Sequence, residues 1–102
     1  MIRLGELIPD AARALGLEDE LRLSRAGATF EALVAERVPA AAGACRVARI
    51  DGATLEVEAD APIVAQELRL RRTELVGAIA ASPGGAGVHD IHVRVRPEGR
   101  RV

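Results

Sequence analysis

Residues 54–79, TLEVEADAPIVAQELRLRRTELVGAI, read as a half-buried strand, a fixed corner and an amphipathic helix, and this reading decides the fold. Leu55, Val57 and Ala59 alternate with Glu56, Glu58 and Asp60, the period of two that sends apolar groups to one sheet face and carboxylates to the other. Asp51-Gly52 precedes this strand and follows Val47-Ala48-Arg49-Ile50, so the two extended segments form a hairpin across a dipeptide that tolerates positive φ. Pro62 lacks an N–H and holds φ near the helical value, which suits the first turn of a helix, with Asp60 as its expected cap. At about 100° per residue, Val64, Leu68, Leu75 and Ile79 fall in one narrow sector that should face the sheet. Ile63 and Leu70 lie together on a second strip, which is either a second core contact, with the N-terminal helices as the expected neighbour, or a partner surface.

Upstream, Leu4, Leu7, Ile8, Ala11, Ala12 and Leu15 recur at helical spacing before Gly16, with Pro9 allowing either one helix or a lead-in turn and a helix. A second helical pattern runs from Asp19 to Val38, with Leu23, Phe30, Leu33, Val34 and Val38 on one side, and Gly27 weakens its middle. Phe30, the single aromatic residue, is the expected core anchor. The helix from Pro62 is expected to reach about Ala81. After it, the loop Ser82-Pro83-Gly84-Gly85-Ala86-Gly87 leads to Ile91, Val93 and Val95, which alternate with His92, Arg94 and Arg96. The expected order is α-α-β-β-α-β, an α+β sandwich with helices on one face of a three-stranded sheet. Glu56, Glu58, His92, Arg94 and Arg96 occupy its open face, where ion pairs form if the last strand lies beside the second.

Composition bounds the function. The 102 residues make one domain, expected over residues 1–96 with a short basic tail at 97–102. All 14 basic residues are arginine, and the formal net charge of −1 gives no global attraction to polyanions. The distribution differs along the chain, from net −3 over residues 1–36 to net +2 over residues 37–102. A polyanion contact is therefore expected on the closing strand and tail, at Arg94, Arg96, Arg100 and Arg101, or around Arg69, Arg71 and Arg72. These last three project in different directions around their helix, and Glu67-Arg71 and Arg71-Glu74 have the spacing of solvated ion pairs. Cys45 is alone, so no intrachain disulfide forms, and the absence of a long apolar run argues against a signal peptide or membrane span. A cytoplasmic protein is the expectation.

Enzymatic chemistry finds no constellation. Ser24, Ser82, Thr29, Thr54 and Thr73 lack a motif that pairs them with a base. His89 and His92 point to opposite faces of an alternating strand, so with Asp90 and the distant Cys45 they make no convergent metal site, and no cofactor is implied. Gly84-Gly85-Ala86-Gly87 matches the G-x-x-G clamp of KH domains, but that clamp joins two helices, whereas this loop joins a helix to a strand and reads as a flexible connection. With no Tyr or Trp there is no aromatic platform for base stacking.

With these elements placed, the chain resembles the DciA-like family of bacterial proteins. The resemblance is carried by Leu4-Gly5-Glu6-Leu7-Ile8-Pro9, by FEALVAERV at residues 30–38, by Asp51-Gly52 with the strand 54–59, by Ala61-Pro62 with Ala65-Gln66-Glu67-Leu68-Arg69-Leu70, and by the closing strand 91–96. It departs at Phe30, where the family usually has Trp, and at Val34-Ala35, where it has Val-Gly. The resemblance implies a KH-like domain without catalytic residues, associated with loading or operating the replicative DNA helicase. Two functional expectations follow: a replication accessory that binds a DnaB-type helicase and, weakly, DNA, or a protein-interaction module without a nucleic-acid role. The first would use the arginines of the closing strand and helix; the second is motivated by Ile63 and Leu70 as the candidate partner surface.

Overall fold

The computed structural model describes the backbone of residues 4–96 and the side chains of residues 16–96; the tail with Arg100 and Arg101 lies outside the described residues. Helix α1 runs Leu4–Arg37, strand β1 Cys45–Asp51, strand β2 Thr54–Ala59, helix α2 Pro62–Leu70, helix α3 Arg72–Ala80 and strand β3 Asp90–Val95, with short 3-10 turns at Pro39–Ala41 and Pro83–Gly85. The fold is α+β, as expected, but its order is α-β-β-α-α-β rather than α-α-β-β-α-β. The two expected N-terminal helices are one, and the expected helix after Pro62 is two.

The hairpin and the alternating strands stand as read. β1 pairs antiparallel with β2 around a turn that holds Gly52 at φ +64°, the left-handed region that glycine enters without steric cost. β3 pairs parallel with β2, in register from Thr54 opposite Asp90 to Ala59 opposite Val95, so β2 is the central strand of a mixed sheet. The register of β1 shifts between Val47 and Arg49. This bulge places one extra residue, Ala48, in β1 and restores the parity of the strand, so that Ile50 turns inward opposite Leu55 and Arg49 stands outward opposite Glu56.

The core lies between sheet and helices. Leu55, Val57 and Ala59 of β2 and Ile91 and Val93 of β3 are buried against Ala65 and Leu68 of α2, Leu75 and Ile79 of α3, and Ala26, Phe30 and Val34 of α1. Phe30 is fully buried, the anchor expected of it. The break between α2 and α3 falls on Arg71, at φ −105° and ψ 17°, whose N–H is shared between the carbonyls of Glu67 and Leu68. No glycine or proline marks it. The kink lets α2 pack on β2 and β3 while α3 turns toward α1, a division of labour that one straight helix could not meet. Ala61 is the N-cap of α2 and makes no side-chain capping bond. Asp60 is not a cap, because its carboxylate is held by arginines of the sheet.

The Gly-rich loop is not a flexible connection. A Cβ on Gly85 would overlap the carbonyl oxygen and Cγ2 of Ile79, and one on Gly84 would overlap Thr29 Oγ1 and stand 3.0 Å from the Arg25 carbonyl oxygen. The two glycines let the loop close tightly on α3 and α1, which explains the motif by packing.

Candidate partner and nucleic-acid interfaces

On the open sheet face the glutamates of β2 stand between basic side chains of both neighbouring strands. Arg46 and Arg49 of β1 flank Glu58 and Glu56 of β2, and Arg94 and His92 of β3 stand opposite the same two glutamates on the other side. Arg46 Nη2 donates to Asp60 Oδ1 at 2.8 Å and Arg46 Nη1 lies 3.8 Å from Glu58 Oε1. Arg49 Nη2 lies 3.4 Å from Glu56 Oε2 and 3.7 Å from Asp51 Oδ2. Arg96 Nη1 reaches Asp60 Oδ1 at 3.5 Å. Held first by the hydrogen bond from Arg46, and by Arg96 beyond it, the Asp60 carboxyl sits below the usual carboxylate range. Solvent screens such surface pairs, so they contribute little stability; their main effect is to use up charge that would otherwise be open to a ligand.

The arginines expected to touch nucleic acid are therefore not equivalent. Arg94 is exposed and, among the described residues, has no carboxylate within ion-pair distance. Arg96 is tied to Asp60. Arg69 Nη2 donates to the Val93 carbonyl at 2.7 Å, covering part of the free edge of β3, where an unpaired backbone acceptor would otherwise stand. Arg71 pairs with Glu67 and Glu74, at 3.3 and 3.6 Å. Arg72 is held by Asp90 at 2.6 Å. That contact, together with the Ile91 N–H, lowers the Asp90 pKa. The structure thus disperses the Arg69, Arg71 and Arg72 cluster into three internal contacts.

Ile63 and Leu70 are 69% and 72% exposed. They sit two turns apart on α2, and α3 does not cover them, so the strip is not core. A small hollow of about 170 Å³ lined by Ala40, Ala41, Ile63, Val64 and Glu67 lies beside Ile63. Leu17 and Leu21 of α1 are also about half exposed, at 53% and 52%.

Reading the sequence missed Arg22 and Arg25. Both lie on α1 and face the Gly-rich loop, which comes far later in the chain, so no local spacing announces the juxtaposition. Cys45 is buried, its Sγ 3.5 Å from the Ala41 carbonyl, and burial pushes its thiol pKa up. His89 and His92 are both exposed, and no group of three His, Cys, Asp or Glu side chains converges among the described residues. No helix among them is long and apolar enough to cross a membrane.

No curated protein matches the chain. Residues 3–93, which span α1 through most of β3, match the model of the family described as DciA, the DnaC/DnaI antecedent. The chain therefore belongs to the DciA family, and that membership implies a role in loading the replicative helicase.

Proposed function

We propose that this chain is a non-enzymatic, KH-like accessory module that binds a DnaB-type replicative helicase through the Ile63–Leu70 strip of α2 and touches DNA weakly through arginines. The family match carries the reading, and the geometry supports each half of it. The strip presents two large apolar side chains on a surface where their burial would contribute about 1.5–3 kcal/mol each. The open sheet face offers Arg94, with Arg96 beside it, as a modest phosphate-contacting patch. At the helix–helix corner, where a KH clamp carries glycines, this chain has Leu70-Arg71-Arg72. A phosphate contact there would come from a guanidinium released from Glu67, Glu74 or Asp90.

The test is a pull-down with the replicative helicase of the same organism, using the wild-type chain and the Leu70→Glu variant. Because Leu70 is exposed, Leu70→Glu should melt like wild type and lose helicase capture. A salt titration of single-stranded DNA binding measures the second half. Failure of the wild-type chain both to capture helicase and to bind DNA at low salt would overturn the reading. If Leu70→Glu abolished self-association instead, the strip would belong to a scaffold module.

A further inference from the structure

A cleft of about 500 Å³ separates α1 from the Pro83–Gly85 turn, with Leu21, Arg22 and Arg25 on the helix side, Pro83, Gly84 and Ala86 on the loop side, and Glu18 at its end. We propose that this cleft binds the phosphodiester backbone of single-stranded nucleic acid, with Arg22 and Arg25 as its phosphate ligands. The inference rests on the reading that the module touches DNA, and it moves the main contact from β3 to α1.

The cleft holds uncommitted positive charge. Arg37, Arg46, Arg49, Arg71, Arg72 and Arg96 are all within ion-pair distance of a carboxylate. Among the described residues neither Arg22 nor Arg25 is. Arg22 donates only to the Gly52 carbonyl, at 3.1 Å, which steadies the guanidinium yet leaves its charge and most of its five donors for an anion. Glu18 has the i,i+4 spacing to Arg22 but makes no ion pair with it, so the cleft keeps a net positive lining.

The cleft is also preorganised. One wall is a helix and the other a loop locked by the close approach of Gly84 to Thr29 and of Gly85 to Ile79, so no wall must order on binding. Gly87, at φ +90°, passes beside Arg22, and an added Cβ would stand 4.0 Å from its Nη2. The arginine is thus steadied at the hairpin tip and flanked by the loop. Arg22 and Arg25 are one turn apart on α1 and both line the same groove.

Size and polarity select the ligand. A groove of this volume has room for about one nucleotide unit. Leu21, 52% exposed at the rim, offers apolar surface to a sugar or base face, while the cations take the phosphate. Since the single aromatic residue is buried, the contact is sequence-tolerant and salt-sensitive.

The test is amide NMR of the full labelled chain titrated with a (dT)12 oligonucleotide at low salt. The largest shifts are expected at residues 21–25 and 84–87. Arg22→Gln/Arg25→Gln should weaken binding about tenfold or more and flatten the plot of log K against log salt by about 1.4, roughly 0.7 for each single-strand phosphate no longer neutralised. Arg25→Gln alone spares the Arg22–Gly52 bond and should give about half that change in slope. Shifts confined to β3, with affinity retained in the double variant, would overturn the cleft while leaving DNA binding intact. No shifts anywhere would overturn both. Equal affinity for thymidine monophosphate and the oligonucleotide would mean a free-nucleotide pocket and would also overturn the proposal.

Discussion

Replacing Gly85 by alanine should destabilise the domain by about 2 kcal/mol, and the reason lies in two atoms of Ile79. The added Cβ would overlap the Ile79 carbonyl oxygen and Cγ2 and stand 2.9 Å from the carbonyl carbon. Neither obstacle is the free end of a flexible side chain. The carbonyl belongs to the last turn of α3, and Ile79 is fully buried, so loop and helix end must separate to restore van der Waals distance. Overpacking of this kind costs about 1–3 kcal/mol. Gly85 has no positive φ, so alanine also loses less chain entropy on folding, which returns about 0.4–1 kcal/mol. Taking the upper part of the steric cost leaves a net of about 2 kcal/mol, or a fall in Tm of roughly 8–16 °C for a domain of this size. Urea unfolding followed by far-UV circular dichroism measures it, with an unchanged m-value showing that the denatured state is the same. Gly77→Ala is the internal control: it lies in α3 with nothing within 4 Å of its added Cβ, and should stabilise by about 0.5–1 kcal/mol. A Gly85→Ala variant as stable as wild type would refute the packing argument and return the loop to a flexible joint.

Phe30→Ala removes the fully buried ring at the centre of the α1 contact and should cost about 3–5 kcal/mol in urea or thermal unfolding. Acid stability should reflect Asp60 and Asp90, whose folded pKa values are depressed chiefly by Arg46 and Arg72; their contribution is complete above the unfolded value of about 3.9 and is lost as pH falls through the folded values. Asp60→Asn and Asp90→Asn should therefore be less stable than wild type at neutral pH, with the gap closing below about pH 4 in urea midpoints. Cys45, buried and with its thiol pKa raised, should react with Ellman's reagent much more slowly than the thiol of the urea-unfolded chain, and equal rates would contradict its placement.

Much of this architecture is written locally. The Asp51-Gly52 turn, the alternation of β2 and β3 and the Pro62 corner each depend on residues within a few positions of one another, and each stands in the structure. The corrections all involve distant partners. Gly16 and Gly27 are weak helix formers, but α1 passes both without a break, and over its second half burial of Ala26, Phe30 and Val34 outweighs an unfavourable propensity. The kink at Arg71 has no breaker residue because its cause is the different direction in which α1 and the sheet lie. The bulge at Ala48 is visible only against the register of β2. Among the candidate contacts, the off-stripe position of Ile63 and Leu70 was legible on the helical wheel, but their exposure was not, because it depends on where α1 packs; Arg22 and Arg25 likewise acquire meaning only when the loop folds against α1.

The arginines show why a count of charge along a sequence is a poor guide to a binding surface. The densest local cluster, Arg69 to Arg72, is spent on a strand edge, on Asp90 and on helix-surface glutamates. An anion would have to displace a carboxylate to use Arg71 or Arg72, and to expose a backbone carbonyl to use Arg69, costs of desolvation and broken pairing that a solvated phosphate contact does not offset readily. Among the described residues, Arg94 and Arg25 carry no such cost and Arg22 has other donors free beside its bond to the Gly52 carbonyl, though only Arg94 stands out in the sequence. Their positions also separate the proposed contacts in space. Arg94 lies on the open face of the sheet, the Arg22–Arg25 cleft lies between α1 and the Gly-rich loop, and the Ile63–Leu70 strip lies on α2, which packs on the opposite face of the sheet from Arg94. The Ile63–Leu70 strip thus shares no residue with Arg94 or with the Arg22–Arg25 cleft, so Leu70→Glu and Arg22→Gln/Arg25→Gln should separate helicase capture from nucleic-acid binding.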